Sequence, residues 1–429
     1  MPLISELPSL KTIKYPAFKL VAAFVFGLLV PASPLYATLQ EETEYWDLSL
    51  QELMQIEVNV GSKVDEPILE SPGVISLISK SEIDTFGGLY LHDVLNRLPS
   101  ATIVNATAFA YNQISIRGQS FNQFDVHTSY LLNGRPVRNT QIKGINETLL
   151  NSMSLDLIES IEVIRGPGSV LYGTNAYAGV VNIRTIKPEE NSAWANLSGG
   201  TLGTYGGEAG SYFSKGKLWG LINVKSNHHD SEKVRVGDSS GNYRDQAFYQ
   251  KNSQLFAQLQ LGGVGFTVSR FFHETPYIPN RRTWPEGETE HLILEDWFYN
   301  LSYQVYAGNR HKLILNVTHN DNLWEQKFEE NTSAGNSFIY ELTAQGKLSD
   351  NSSYVVGGIY EDEHFASTDL LKQQHSSQSL YLQLDSRFYT GLKLIGGVQW
   401  NKPQSLPSHT SPRIGAIYSI NNHWILKLQ

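Results

Sequence analysis

Lys312–Asn320 reads KLILNVTHN, and Ser379–Phe388 reads SLYLQLDSRF. In the first, Leu313, Leu315 and Val317 oppose Asn316, Thr318 and Asn320. In the second, Leu380, Leu382 and Leu384 oppose Gln383, Asp385 and Arg387. Gln254–Leu261 repeats the pattern, with Leu255, Ala257, Leu259 and Leu261 against Gln254, Gln258 and Gln260. Side chains of a strand alternate between faces, so this period of two describes a sheet with one apolar and one polar face. Each segment is about ten residues long, the length of a tilted membrane-crossing strand rather than of a typical soluble one.

The connections between such segments alternate in length. Short turns fall near Ser214–Lys217, Gly262-Gly263, Ala307–Arg310, Ser349–Ser352, Thr390-Gly391 and Asn421-Asn422. Long polar links lie between them, at His228–Gln246, Glu274–His291, Glu325–Ser337, Phe365–Gln378 and Lys402–Ser411. Only Thr201–Thr204 is short where a long link is due. Outer-membrane barrels have short periplasmic turns and longer outer loops, whereas a soluble Tyr-rich β-protein, the competing reading, has no reason to sort its loops. Trp219, Trp297, Phe388, Tyr389, Trp400 and Trp424 stand at strand ends, as in interfacial girdles. From Ser192 the pattern yields about thirteen strands, the last being His423–Gln429, and a closed bacterial barrel needs an even number. The expectation is the front part of a larger barrel.

Composition agrees with this reading. The 429 residues carry 33 Lys+Arg against 42 Asp+Glu, a net charge of −9, so a nucleic-acid partner is not expected. Charged residues are 17%, below the roughly 25% of soluble domains, while 22 Tyr and 35 Gly suit strands and tight turns. There is no cysteine, which excludes disulfides, thiolate catalysis and Cys-type metal centres. At the N-terminus, Lys11, Lys14 and Lys19 precede the apolar run Leu20–Val30, then Pro31 to Pro34, then Leu35-Tyr36-Ala37. That order describes an export signal over residues 1–37. The run is about half of what a spanning helix needs, which disfavours the alternative of a retained anchor.

Between signal and strands lies a mixed α/β segment, Asp47–Pro188. Ser49 with Glu52, and Ser79 with Glu82, form capping boxes of two short helices; Gly87 and Gly88 end the second. Leu91–Leu98 reads as a third helix, stopped by Pro99. Strand patterns cover Gly73–Ile78, Ala101–Val104, Ile114–Arg117, Tyr130–Leu132, Val137, Ile158–Ile164 and Val180–Ile183. Asn133-Gly134 is a hairpin turn of the kind that needs positive φ at both residues.

This segment resembles the plug domain of TonB-dependent outer-membrane receptors. Ile158–Ile186, IESIEVIRGPGSVLYGTNAYAGVVNIRTI, is similar to the family's most recognisable plug stretch. Ile114-Ser115-Ile116-Arg117-Gly118 and Tyr130–Val137 match two further plug motifs in order. Asp47–Val60 resembles the entry segment of one receptor subgroup, and Ser411-Pro412-Arg413-Ile414-Gly415 a mid-barrel strand. The resemblance implies a signal peptide at 1–37, a periplasmic N-terminal segment at 38–60, a plug at 61–188 and a partial transmembrane β-barrel at 189–429. Barrels of plugged outer-membrane transporters have roughly 22 strands, so about half would be present.

Function follows as expectation. The resemblance implies active uptake of a scarce large ligand, a metal–siderophore complex first, with cobalamin or haem next. TonB, with its inner-membrane ExbB-ExbD motor, would supply the work to a monomeric receptor set in outer-membrane lipid. The proposed TonB contact is Ile56-Glu57-Val58-Asn59-Val60, whose alternation suits strand addition and equally an internal plug strand. Arg117 and Arg165, beside Gly166, stand at strand ends where a guanidinium can pair with barrel carboxylates and lock the plug; the bland alternative is two surface arginines. Ligand candidates at the plug apex are Phe109, Tyr111, Asn112, Gln119, Phe121, Asn122 and Phe124, and in a long link Arg281, Arg282 and Trp284. His228-His229-Asp230 and Glu361-Asp362-Glu363-His364 contain metal-ligand types, but neighbours on a strand face opposite ways, so neither makes a metal site alone. No cofactor is implied, and no G-x-S-x-G or H-E-x-x-H pattern supports an enzyme. Two alternatives stand beside the transporter: a passive binding or adhesin-type surface protein on the same scaffold, and a non-functional gene fragment.

Overall fold

The structure is a computed structural model. It describes residues 56–429 apart from 107–108, 120–124, 141–142, 145, 174, 232, 238–240, 242, 278–289, 327–330, 369–371, 390, 422–423 and 429. The signal segment and the Ser49/Glu52 box lie outside the described residues.

Local chemistry sets the first part of the chain. Ser79 sits in an extended conformation and caps the helix Lys80–Phe86: its hydroxyl accepts from Glu82 N at 3.2 Å, and the Glu82 carboxylate accepts from Ser79 N at 2.8 Å. Gly87, at φ +67°, ends that helix. The next helix, Leu91–Leu95, buries Leu91, His92, Val94 and Leu95. Leu98 continues it only as a turn, bonding back to Leu95 O. A further helix, Glu147–Ser152, has no expectation behind it: all six residues are buried and no side chain caps it, so it shows neither amphipathic period nor start signal.

A five-stranded sheet joins these helices, in the order Ile75–Ser79, Ile158–Arg165, Gly179–Thr185, Thr128–Leu132 and Arg135–Val137. Thr128–Leu132 runs parallel to Gly179–Thr185, and the other pairs are antiparallel. Asn133 and Gly134, at φ 52° and 77°, make the expected turn. Two small pairs stand apart, Glu57–Val58 with Glu66–Pro67, and Ala101–Ala106 with Phe109–Ile116.

Thirteen antiparallel strands follow, from Ser192–Gly199 to Trp424–Leu428, each paired with its neighbour in the sheet. The long link after His229 is not a plain loop, because Lys233–Gly237 and Tyr243–Ala247 form a hairpin of their own within it. Many strands also exceed the expected ten residues. Asn331–Ser349 has 19 and Glu290–Ala307 has 18. The expected link Glu325–Ser337 shrinks because Thr332–Ser337 already pairs with Asn320–Glu325. Polar residues beyond the apolar band keep their backbone ladder, so polarity alone did not mark the strand ends. The faces sort as expected: Leu301, Leu315, Leu342, Leu382 and Val398 are exposed, while Asn300, Asn316, Thr318 and Gln383 are buried on the inner side. The apolar core of the first part, built on Leu95, Ile116, Leu149, Ile161 and Val181, continues into Phe256, Phe271 and Phe298 of the wall. Among the described residues no helix is long and apolar enough to cross a membrane; any crossing is made by strands.

Candidate functional site

The site is the boundary between the inner domain and the inner face of the strands. Its strongest contacts are ion pairs. Glu341 receives two cations, Lys63 and Arg135, each at 2.5 Å, and also accepts from the Tyr381 hydroxyl at 2.7 Å. Arg138 meets Glu361 at 2.7 Å, and Lys143 meets Glu363 at 2.9 Å. Lower on the chain, Glu66 meets Lys393 at 2.6 Å and Glu70 meets Arg387. Lys427 donates to the carbonyls of Ile68, Ser71 and Gly73 at 3.0, 2.8 and 3.2 Å. Burial pushes the Lys63 ammonium below the usual lysine range, with Glu341 opposing that shift.

Strand parity explains why these carboxylates point inward. Phe338, Tyr340 and Leu342 are exposed, so Glu341 between them faces in. The Glu361–His364 cluster divides the same way: Glu361 and Glu363 are buried and take inner-domain cations, while Asp362 and His364 face out. Among the described residues no three His, Asp or Glu side chains group to hold a metal. Glu341, Glu361 and Glu363 were legible in principle from that parity, and Arg135 and Arg138 from their place beside the Asn-Gly turn.

The expected lock residues behave differently. Arg165 donates to Pro99 O at 3.0 Å and to Ser100 Oγ at 3.2 Å, both within its own domain. Arg117, at φ 54°, is exposed, and its guanidinium lies near Gly166, which has φ +140°. Neither arginine forms an ion pair with a wall carboxylate among the described residues; Arg165 is held within its own domain. This corrects the expectation that Arg117, Arg165 and Gly166 tie the domain to the strands.

The Ile56–Val60 segment is docked rather than free. Glu57–Val58 pairs with Glu66–Pro67, Val58 and Val60 are fully buried, and Glu57 is exposed. The carboxylate of Glu162, itself fully buried, accepts from Asn59 N at 3.3 Å and Val60 N at 3.0 Å. Of the ligand candidates, Phe109 closes the tip of the Ala101–Ile116 hairpin, Tyr111 and Asn112 lie on its second strand, and Gln119 is exposed just beyond. Phe121, Asn122, Phe124, Arg281, Arg282 and Trp284 lie outside the described residues. Asp125, next to that stretch, is buried and accepts from Tyr130 Oη at 3.1 Å and Ile114 N at 3.3 Å. Burial pushes its carboxyl up to about 7, against those hydrogen bonds.

A folded domain ion-paired to the inner, polar face of a long antiparallel sheet, whose outer face is apolar, defines the class: a plugged outer-membrane barrel. The TonB-dependent Receptor Plug Domain family matches residues 67–180. A Vitamin B12 transporter, BtuB of Photobacterium profundum, is 30% identical over 193 residues, which is 44% of this chain and 30% of that relative. The ferric yersiniabactin uptake receptor FyuA from Yersinia pestis shares the fold at TM-score 0.62 and 15% identity, over 81% of this chain and 62% of that one. The ferric enterobactin receptor PfeA from Pseudomonas aeruginosa does so at TM-score 0.65 and 14% identity, over 82% and 60%. The chain thus spans less than two thirds of the relatives it matches. Residues 67–180 match the plug domain of TonB-dependent receptors, the strands after them share the fold of part of such receptors' barrels, and the place of that fold is the outer membrane.

Proposed function

We propose that this protein takes up a scarce large ligand across the outer membrane with energy delivered by TonB. The observation that carries the reading is the ion-paired plug. A lumen filled by a folded domain with several charge contacts to its wall is closed at rest. The outer membrane has no nucleotide pool, so the work has to come through a partner, TonB driven by ExbB-ExbD. Ile56–Val60 is the segment we assign to that partner. It is docked on Glu162 at rest, so strand addition follows its release. The apex residues Phe109, Tyr111, Asn112, Gln119, Phe121, Asn122 and Phe124, with Arg281, Arg282 and Trp284, are assigned to ligand contact, and the receptor to a monomer.

A metal–siderophore complex is the leading ligand, in keeping with the receptors that share the fold. Cobalamin is the second reading, favoured by the sequence likeness to vitamin B12 transporters. The test is uptake of radiolabelled cobalamin and of radiolabelled ferric enterobactin by cells with and without the gene, in TonB-proficient and TonB-deficient strains. Gene-dependent accumulation that vanishes without TonB supports the reading. Gene-dependent surface binding with no TonB-dependent accumulation would turn it into a passive binding protein.

A further inference from the structure

The ion pairs between plug and wall are not spread around the barrel. Their wall partners are Glu341, Glu361, Glu363, Arg387 and Lys393, all on the four strands from Asn331–Ser349 to Leu392–Pro403. On the neighbouring arc, from Gln250–Leu261 to His311–Gln326, no ion pair reaches the plug among the described residues. Contact there consists of apolar packing on Phe256, Phe271 and Phe298 and of hydrogen bonds. Examples are Ser152 Oγ to Phe272 O at 2.7 Å, Ser154 N to Gln254 Oε1 at 2.6 Å and Thr140 N to Asn322 Oδ1 at 2.9 Å.

On this same arc lies a cavity of about 220 Å³. The plug side contributes Asn133 and Arg135; the wall contributes Gln258, Thr267, Asn300 and Asn316. Its wall residues run down to the short turn at Gly262, so it opens in the periplasmic half of the barrel. Asn316 is 2% exposed, and its amide nitrogen has no hydrogen-bond partner among the described residues. A buried amide donor without a partner is costly, and this one lines the cavity. The cavity's amides and the Thr267 hydroxyl present donors to carbonyl, hydroxyl or carboxylate oxygens.

We propose that this cavity is a transit subsite for the oxygen-rich surface of the ligand, and that the plug opens along this arc while it stays tethered on the ion-paired one. The proposal rests on the uptake reading above. Hydrogen bonds between charged groups are roughly twice as strong as neutral ones, and the tethered arc is the one that holds the ion pairs. The seam, which has no ion pair to the plug among the described residues, therefore parts with less work than the tethered arc, next to a recess that presents amides and a hydroxyl.

The absence of native cysteine makes the test clean. One variant carries Thr140→Cys with Asn322→Cys, whose side chains touch across the seam at 3.3 Å and lie outside the cavity. The control carries Val170→Cys with Gly397→Cys on the tethered side, where a Cβ at Gly397 lies 3.3 Å from Val170 Cγ1. Both are joined in cells by the same short, reducible bis-maleimide, and uptake of radiolabelled cobalamin and ferric enterobactin is followed. The expected result is that the seam cross-link drops uptake to the level of a TonB-deficient strain with surface binding intact, that reduction restores it, and that the control cross-link leaves uptake in place. Undiminished uptake with the seam joined, or equal loss with the control joined, overturns the proposal while the uptake reading stands. A native protein without TonB-dependent uptake brings down both. Asn316→Leu, which adds no cross-link, is expected to slow uptake at unchanged surface affinity; wild-type uptake there overturns the subsite.

Discussion

Glu341 holds two plug cations at once. Glu341→Gln leaves Lys63 and Arg135 buried without a carboxylate, which costs about 3–5 kcal/mol of plug docking. The expected outcome is earlier release of the plug in urea and faster cleavage of it by added protease in outer-membrane preparations; an unchanged urea profile would refute this role. Asp125 makes a different prediction. Its native pKa, about 7, lies above the unfolded value of about 3.9, so between those values the folded plug holds a proton that the unfolded chain has lost. Its share of stability is full below pH ~4 and declines as pH rises through ~7. Asp125→Asn is expected to flatten that decline, seen as urea midpoints that differ less between pH ~5 and ~8 than in the native protein.

At the scale of elements, the docked hairpin Glu57–Val58/Glu66–Pro67 decides how the TonB contact is tested. Val58 is fully buried, so a substitution there disturbs packing as well as backbone hydrogen bonding. Glu57 is exposed, and Glu57→Pro removes a backbone donor with less damage to the interior. Cells with Glu57→Pro are expected to bind ligand at the surface as before and to lose TonB-dependent accumulation; intact accumulation would move the contact elsewhere. The Thr128–Val137 hairpin is the other decisive element. Its turn residues, at φ 52° and 77°, place Arg135 and Arg138 against the wall, and Asn133 accepts from Thr185 N at 3.0 Å. Gly134→Val forces a β-branched residue into positive φ, at a cost of about 1–2 kcal/mol or more. The plug is expected to lose heat stability by that order while the barrel strands keep theirs, measured as separate transitions in detergent.

For the whole molecule, the thirteen-stranded sheet has Ser192–Gly199 and Trp424–Leu428 at its two ends, and these do not pair with each other. Each unsatisfied backbone group in lipid costs several kcal/mol. A product limited to these 429 residues is therefore expected to lack the heat-resistant migration in SDS that marks a closed barrel, and to be degraded or aggregated in cells. A heat-resistant, protease-protected product would show that the two ends meet in the membrane.

The amino-acid sequence by itself determined the elements whose cause is local. The Ser79 box, the Asn133-Gly134 turn and the two-faced strands each depend on residues a few positions apart, and so they were legible, as was the plug through its motif. Strand lengths were less so, because the ladder past the apolar band is set by the neighbouring strand rather than by hydropathy. The buried helix Glu147–Ser152 left no trace, since a helix enclosed on all sides has no polar face to give it a period. Only the tertiary structure decided which charges meet. Arg117 and Arg165 stood out by their glycine-rich context, yet the contacts to the wall fall to Lys63, Arg135, Arg138 and Lys143. The reason is geometric: a pair such as Lys63 and Glu341 is separated by 278 positions in sequence, and its partners are chosen by how the plug is rotated within the lumen.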